Sequence, residues 1–415
     1  MTAHFNIRAA ALQAVPSLVP DDYPAEPLDR DAGLVASVRQ FERGETVPAL
    51  RAVEALLAEH PDWVEGHLVM AQLLSQSGEP AAFREFLSWT VRRARGDLAL
   101  VVACLRQLSD AEQHGAILQL VPDVRRWAGD HLFFTLLEAV AASELGDLNR
   151  AEQLFQAAAK EGGVLSLPHV RHLIRTGDAV KAATVAEGFV RDQPRHQGAW
   201  GLLETAWRLV GDTRHDWLVG QPGLVDTIEV DLSPEALTTL AACLRRLHGA
   251  RSHPFDQSLR GGTQTAGRLF RHDDIEIQGA RRALSAAVRR YLDALPPHDP
   301  QHPLLGCDRA DFHVSDSWSV RLLDGGFHVS HVHPQGTLSS AFYVTLPPLG
   351  DQSHHAGWLT IGEPPETLRT GLPPLRVIEP KVGRLALFPS FLWHGTRPFP
   401  QGERMTVAFD TVLDG

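Results

Sequence analysis

Cysteine is scarce in this chain of 415 residues. Cys104, Cys243 and Cys307 are far apart and form no C-x-x-C pair. That excludes a cysteine-built zinc site and a disulfide framework, and it predicts a reducing, cytoplasmic setting. An excess of positive charge is also missing. The formal net charge is −11, so neither nucleic acid nor an anionic membrane is expected as a partner, because both demand a dense basic surface. Short basic runs such as Arg92-Arg93-Ala94-Arg95 read as solvated helix faces. Long hydrophobic runs are lacking too: no stretch approaches the roughly 18 apolar residues of a membrane helix. Met1 to Pro20 has a modest apolar run at Ala9–Leu12, broken by Gln13 and Pro16, and no basic start. No signal peptide is expected there. What is present suits globular cores: 44% apolar and 21% charged residues. The length suggests two or three domains.

The chain changes character near residue 220. Before it, apolar residues recur at helical spacing. After it come short alternating runs, Gly/Pro turns and histidines. The first half carries a period. Gly44, Gly78 and Gly146 are spaced by 34 and then 68, and Gly177 and Gly211 follow at 31 and 34. The missing member would fall at Glu112, where the pattern is degraded. Alanine stands five residues after three of these glycines, at Ala49, Ala151 and Ala182, and Pro61 and Pro194 stand seventeen after two. Glycine allows a tight turn between two helices, a small residue lets them approach, and proline stops the second. Such pairs stack because none can bury both faces alone. The period and these residues resemble the tetratricopeptide repeat over about residues 35–215.

Gly220-Gln221-Pro222-Gly223 ends the helical pattern. Leu224–Val230 then reads as a strand. Helices are expected from Ser233-Pro234-Glu235 to about His248 and over Asp274–Leu295, with a Gly-rich polar loop, Ser258–Thr265, between them. That loop lacks the lysine of a phosphate loop. Strands are expected at Ser317–Leu322, Phe327–His333, Leu338–Leu346, Trp358–Ile361, Arg384–Phe388 and Arg404–Phe409. So many short strands suggest a closed or sandwich β architecture.

His331 and His333 stand two apart in His331-Val332-His333-Pro334, a spacing that puts both imidazoles on one face of a strand. His394 follows 63 residues after His331. Imidazole suits iron, zinc, copper and nickel. With 21 histidines in the chain, a close pair alone carries little. The company is more telling. Arg404 begins an apolar strand and Thr406 shares its face; an inward guanidinium is costly unless it meets an anion.

The order H-x-H, a strand carrying Tyr343, Gly383, Phe388-Pro389-Ser390, His394 and Arg404-x-Thr406 resembles the 2-oxoglutarate/iron(II) oxygenases. It is most similar to bacterial tetratricopeptide-linked oxygenases and more distantly similar to prolyl hydroxylases, over about residues 250–413. The resemblance implies that His331 and His394 ligate Fe(II), that Arg404 pairs with the distal carboxylate of 2-oxoglutarate, and that Thr406 and Tyr343 add hydrogen bonds to it. It implies O2 as co-substrate and succinate as product. The family pattern has an acidic residue where this chain has His333. Three readings stand: His333 as third ligand in an all-histidine site, His333 as a neighbour of a site completed by water or a carboxylate such as Glu363, or a dead site. His328, three residues before His331, is expected on the opposite face in a structural role. Arg321, Gln264 and Trp393 are candidates for the substrate site; against that, Arg321 reads as an edge-strand surface charge, Gln264 as part of a plain turn and Trp393 as core.

The expected architecture is α+β and multidomain. An N-terminal extension (1–34) precedes an α-solenoid (35–219) and a double-stranded β-helix, or jelly roll, with flanking helices (220–415). The favoured activity is hydroxylation of a protein or peptide side chain, with the repeats binding the substrate. The repeats serve equally well for homodimerisation. Two other functions compete: an all-histidine cupin dioxygenase that uses no keto acid, for which Arg404 has no task, and a non-catalytic repeat scaffold with a degenerate jelly roll.

Overall fold

The computed structural model describes residues 29–42, 44–77, 81–160, 167–249, 257–265, 267–347 and 355–413. The expected N-terminal extension and Gly78 lie almost wholly outside the described residues. Contacts group the chain into two compact units, Met1–Gly163 with Gly249–Gln257, and Val164–His248 with Ser258–Gly415. Among the described residues no helix is long and apolar enough to cross a membrane.

The first unit is built of successive helices: α1 (Asp29–Glu42), α2 (Thr46–Glu59), α3 (Val64–Gln76), α4 (Ala82–Arg93), α5 (Leu98–Asp110), α6 (His114–Ala128), α7 (Leu132–Glu144) and α8 (Leu148–Lys160). Gly44 and Gly146 turn the chain with φ of 83° and 87°. Glu112, where the period lacks its glycine, adopts the same left-handed turn at φ 56°. The geometry of the repeat thus persists although its preferred residue is absent, at a steric cost glycine avoids. Ala49 and Ala151 are wholly buried, as close helix approach requires.

The second unit begins with four more helices, α9 (Leu167–Arg175), α10 (Ala179–Asp192), α11 (Gln197–Val210) and α12 (Arg214–Val219). These continue the glycine register but share one core with the β-structure: Trp200, Leu203 and Ala206 pack together with Leu359, Ile361, Phe388 and Phe391–Trp393. Compactness therefore divides the chain inside the stretch of helical period rather than at the breaker cluster.

After β1 (Asp226–Glu229) come α13 (Pro234–Leu247), β2 (Leu259–Gln264), α14 (Ile275–Ala294), β3 (His313–His328), β4 (Leu338–Thr345), β5 (Leu359–Ile361), β6 (Arg376–Ile378), β7 (Arg384–Pro389), β8 (His394–Thr396) and β9 (Arg404–Val412). Ser233 caps α13 by accepting from the Ala236 N–H, with Pro234 in the first turn. The strands form a six-stranded sheet, β1-β7-β4-β9-β3-β2, and a three-stranded sheet, β6-β5-β8. All recorded pairings are antiparallel. Helical repeats followed by this two-sheet β-structure are the layout expected of the fold class.

Period-two alternation decides what each face of the large sheet meets. Phe342, Val344, Leu385, Leu387, Met405, Val407 and Phe409 point one way and join the core built with α13 and α14. The other face carries Asp316, Trp318 and Val320 from β3, Ser339 and Tyr343 from β4, and Arg404, Thr406 and Asp410 from β9, paired across in register.

Two local expectations are corrected. Ser258–Thr265 was expected as a loop, yet its middle is a strand, β2, paired with β3. A register shift between Arg260 and Gly262 makes a bulge, with Gly261 at φ 71°. At Gly262 an added Cβ would lie 2.3 Å from the Arg321 carbonyl oxygen, so close strand approach explains that glycine. The expected strand Phe327–His333 stops at His328, and His331 makes only an isolated bridge to His394.

Candidate metal and anion site

The loop after β3 brings His331 beside His394 at the head of β8. Their backbones exchange two hydrogen bonds, 3.0 and 2.9 Å, and their ring centroids are 4.2 Å apart. The His333 backbone N–H donates to the Ser390 carbonyl at 3.1 Å, and its ring lies 5.0 Å from each of the other two. One ligand-capable atom from each of His331, His333 and His394 falls within 4.8 Å of the others. H-x-H converges, though through a loop held by bridges rather than through a regular strand.

Each ring is oriented from behind. His331 Nδ1 donates to the Val329 carbonyl at 2.9 Å, His394 Nδ1 to the Leu392 carbonyl at 3.0 Å, and His333 Nδ1 to the Asp410 carboxylate at 2.6 Å. With the Nδ1 protons so placed, the Nε2 atoms carry lone pairs. Nε2 of His331 and Nε2 of His333 are 3.0 Å apart. Two lone pairs at that distance repel unless a cation or a proton lies between them, so the donor set fits a metal ion. Burial and the neighbouring His333 push His331 down to about 3, and burial together with the adjacent rings holds His394 well below the ordinary value. His333 moves the other way: burial pulls it down, but the charge and hydrogen bond of Asp410 outweigh it. Neutral imidazole is the form that ligates.

Arg404 and Tyr343 stand on the same sheet face. Both are buried, at 3% and 0% exposure, and the guanidinium carbon lies 5.3 Å from the centroid of the phenol ring. Among the described residues, Nε and Nη1 of Arg404 and the Tyr343 hydroxyl find no hydrogen-bond partner. A buried guanidinium with open donors is unfavourable by itself and suits a carboxylate ligand, which would accept two parallel hydrogen bonds. Thr406, 7% exposed, lies between Val320 and Tyr343 in the sheet register. The donors therefore fit both groups that the sequence implied, a divalent metal and a dicarboxylate.

The other expected residues separate. Gln264 pairs with Val320 and shares the register of the site face, half-buried. Arg321 pairs with Met405 on the opposite register and donates to Glu403 at 2.6 Å. Trp393 is 4% exposed and donates its indole N–H to the Gly201 carbonyl and the Thr205 hydroxyl of α11. It is a core residue bracing the adjacent His394. Glu363 pairs with Arg397 at 2.8 Å and does not join the three imidazoles. His328 is nearer than expected: its ring stacks 6.1 Å from that of His331, and Ser258 Oγ lies 2.9 Å from its Nδ1 and 3.2 Å from His331 Nε2. The strand ends at His328, so the alternation that would have turned it away no longer applies.

Asp410 was not singled out from sequence. The signal existed: Arg404, Thr406 and Asp410 are separated by even numbers, so one strand places all three on one face. Trp318, on the same sheet face, also borders the triad: its ring lies 5.6 Å from that of His333.

Residues 316–410 match the family model described as "Putative 2OG-Fe(II) oxygenase", a stretch that contains His331, His333, Tyr343, His394, Arg404, Thr406 and Asp410. No curated protein matches the chain. Among solved structures, the chain is similar to a prolyl-4-hydroxylase from Pseudomonas putida, with 20% identity over 46% of this chain and 94% of that chain and a TM-score of 0.32. It is also similar to HygX from Streptomyces hygroscopicus, solved with nickel, 2-oxoglutarate and hygromycin B bound, with 14% identity over 48% of this chain and 86% of that chain and a TM-score of 0.33.

Proposed function

We propose, from the match of residues 316–410 to the 2OG-Fe(II) oxygenase family model, that this oxygenase hydroxylates a side chain of a protein or peptide, held for it by the helical repeats. The observation that carries the site reading is the pairing of three convergent imidazoles with a buried guanidinium whose donors are open. His331, His333 and His394 would hold the iron, and Arg404 with the Tyr343 hydroxyl and Thr406 would hold the distal carboxylate of 2-oxoglutarate. With both bound, the family's chemistry couples decarboxylation of the keto acid to insertion of one oxygen atom from O2 into a substrate C–H bond.

The protein's own contribution is orientation and exclusion of water. The Val329 and Leu392 carbonyls and the Asp410 carboxylate fix the three rings before any ligand arrives. Phe388, 1% exposed and 4.7 Å from the His394 ring, closes one wall with apolar surface. Burial of Arg404 in that low-polarity setting makes its pairing with an anion strong. Stacked helical pairs are a common peptide-binding surface, which is the reason for favouring a protein substrate. The repeats serve a homodimer contact equally well.

The test is succinate release by the full chain, loaded with Fe(II), against pools of peptides, with bound metal quantified in the same preparation. Peptide-stimulated succinate with a mass gain of one oxygen supports the reading. Metal-loaded protein that turns over 2-oxoglutarate only with a small molecule removes the protein-substrate part. Oxygen uptake independent of 2-oxoglutarate removes the keto-acid part and returns the all-histidine cupin alternative.

A further inference from the structure

Three neutral imidazoles leave the double charge of a metal ion uncompensated. In a site this buried, that is a large electrostatic deficit. Arg404 adds a further positive charge on the same face. The Nδ1 protons of His331 and His394 go to backbone carbonyls, which carry no net charge. Only the third goes to an anion: among the described residues, Asp410 supplies the carboxylate hydrogen-bonded to a ring of the triad. Glu363 is engaged by Arg397 at 2.8 Å. Asp316 faces Asp410 in register, but its side chain is 56% exposed and points within 4.0 Å of Arg268.

Asp410 is itself held in place. Its side chain is 12% exposed. Oδ2 accepts from His333 at 2.6 Å and Oδ1 accepts from Ser339 Oγ at 2.9 Å. Ser339 Oγ in turn lies 2.9 Å from Ser390 Oγ, and Ser390 holds the backbone of His333 through its carbonyl. Gly336 leaves room beside the carboxylate: an added Cβ there would lie 3.3 Å from Asp410 Cγ and 2.9 Å from Ser390 Oγ. A carboxylate buried in a fixed network behind one ligand ring, with its charge directed through that ring, is arranged to act on whatever the ring binds.

We propose that Asp410 is a positioning residue of the metal centre, locking His333 with Nε2 toward the metal and supplying through that ring the negative charge that an all-imidazole ligand set lacks. The inference rests on the reading of His331, His333 and His394 as metal ligands. A carboxylate behind a ligating imidazole raises its basicity and fixes its tautomer, and loss of such a partner weakens metal binding about 10- to 100-fold.

Asp410→Asn separates the two roles, since the amide oxygen still accepts from His333 while the charge is gone. Calorimetric titration of the full chain with Co(II) or Ni(II), together with the visible spectrum of the Co(II) form, reads the effect without turnover. We expect Asp410→Asn to weaken Co(II) affinity about 10- to 100-fold and to alter the Co(II) spectrum, with the melting of the metal-free protein unchanged. Asp410→Ala should be at least as severe, and Glu363→Gln should bind as the parent does. Parent affinity and spectrum in Asp410→Asn, while His394→Ala has lost the metal, would overturn the role of Asp410 and leave the site reading standing. Retained affinity in His394→Ala would overturn both. If Asp410→Asn fails to fold, Ser339→Ala carries the test. It frees one oxygen of the carboxylate, and a Co(II) affinity lowered a few-fold is expected, whereas an unchanged one refutes the proposal.

Discussion

The indole N–H of Trp393 donates to the carbonyl of Gly201 at 3.1 Å, which ties the residue before His394 to the middle of α11. Gly201 is a glycine because the two segments touch. A Cβ there would lie 2.6 Å from the Phe391 carbonyl oxygen and 3.2 Å from Cγ1 of Val332, the residue between His331 and His333. Helix α11 thus backs both ligand-bearing segments. Gly201→Val is expected to cost about 1–3 kcal/mol of stability by overpacking and to weaken metal binding as well. Urea unfolding of the metal-free protein and a Co(II) titration check the two effects. Stability and affinity equal to the parent would mean that α11 does not hold the ligand segments in place.

In its buried position Arg404 has no hydrogen-bond partner for Nε or Nη1 among the described residues. Arg404→Ala is therefore expected to leave metal binding and the fold intact while abolishing 2-oxoglutarate binding. Loss of one partner from a buried, hydrogen-bonded charge pair costs on the order of 3–5 kcal/mol, or roughly two to four orders of magnitude in affinity. Arg404→Lys should recover little, because an ammonium cannot form the bidentate fork. Quenching of tryptophan fluorescence by 2-oxoglutarate in the metal-loaded protein measures this. Undiminished quenching in Arg404→Ala would place the keto acid elsewhere.

The three imidazoles and the nearby His328 make a second contrast. His331→Ala, His333→Ala and His394→Ala each remove one member of a set whose ligand atoms lie within 4.8 Å. Each should lower divalent-metal affinity by orders of magnitude. His328 reaches His331 only by stacking and through Ser258, so His328→Ala should change affinity by no more than a few-fold. Equal Ni(II) titration curves for His328→Ala and His333→Ala would remove His333 from the ligand set.

Why was so much of this site legible in the sequence, and Asp410 not? His331, His394, Arg404 and Tyr343 belong to an ordered motif, and strand alternation alone puts Arg404 and Thr406 on one face. The same alternation reaches Asp410, but nothing local marks that carboxylate, because its partner His333 is 77 residues away. The repeat period was visible in glycines whose positive φ demands that residue, and Glu112 shows how packing can keep a turn after the preferred residue is gone. What failed was local propensity read without tertiary contact. The glycines of Ser258–Thr265 looked like a loop, and only the approach of β3 makes them a bulged strand. The shared core of α9–α12 with the β-structure was likewise invisible, since a helix periodicity does not say what its apolar face meets.

A pH dependence follows from the partly buried pair that joins α11 to α12. His215 Nε2 lies 3.0 Å from Glu204 Oε1, and the Glu204 side chain is 1% exposed. The hydrogen bond to Glu204 raises His215 above its ordinary value, against the opposing pull of burial. A raised folded value means that the folded protein holds the proton more tightly than the unfolded chain does. The stabilisation is therefore complete below the unfolded value of about 6.5 and is lost as pH rises through the folded one. Glu204 Oε2 also lies 3.4 Å from Thr205 Oγ1, the hydroxyl that donates to the Gly201 carbonyl and takes the Trp393 indole N–H, so the pair adjoins the same brace behind His394. His215→Gln should thus destabilise the protein more at about pH 5.5 than at about pH 9, where the parent has lost the charged interaction. Paired urea-unfolding curves of parent and variant at the two pH values decide it. A difference that is constant, or larger at the alkaline end, would show that His215 contributes as a neutral hydrogen-bonding group and not as a cation.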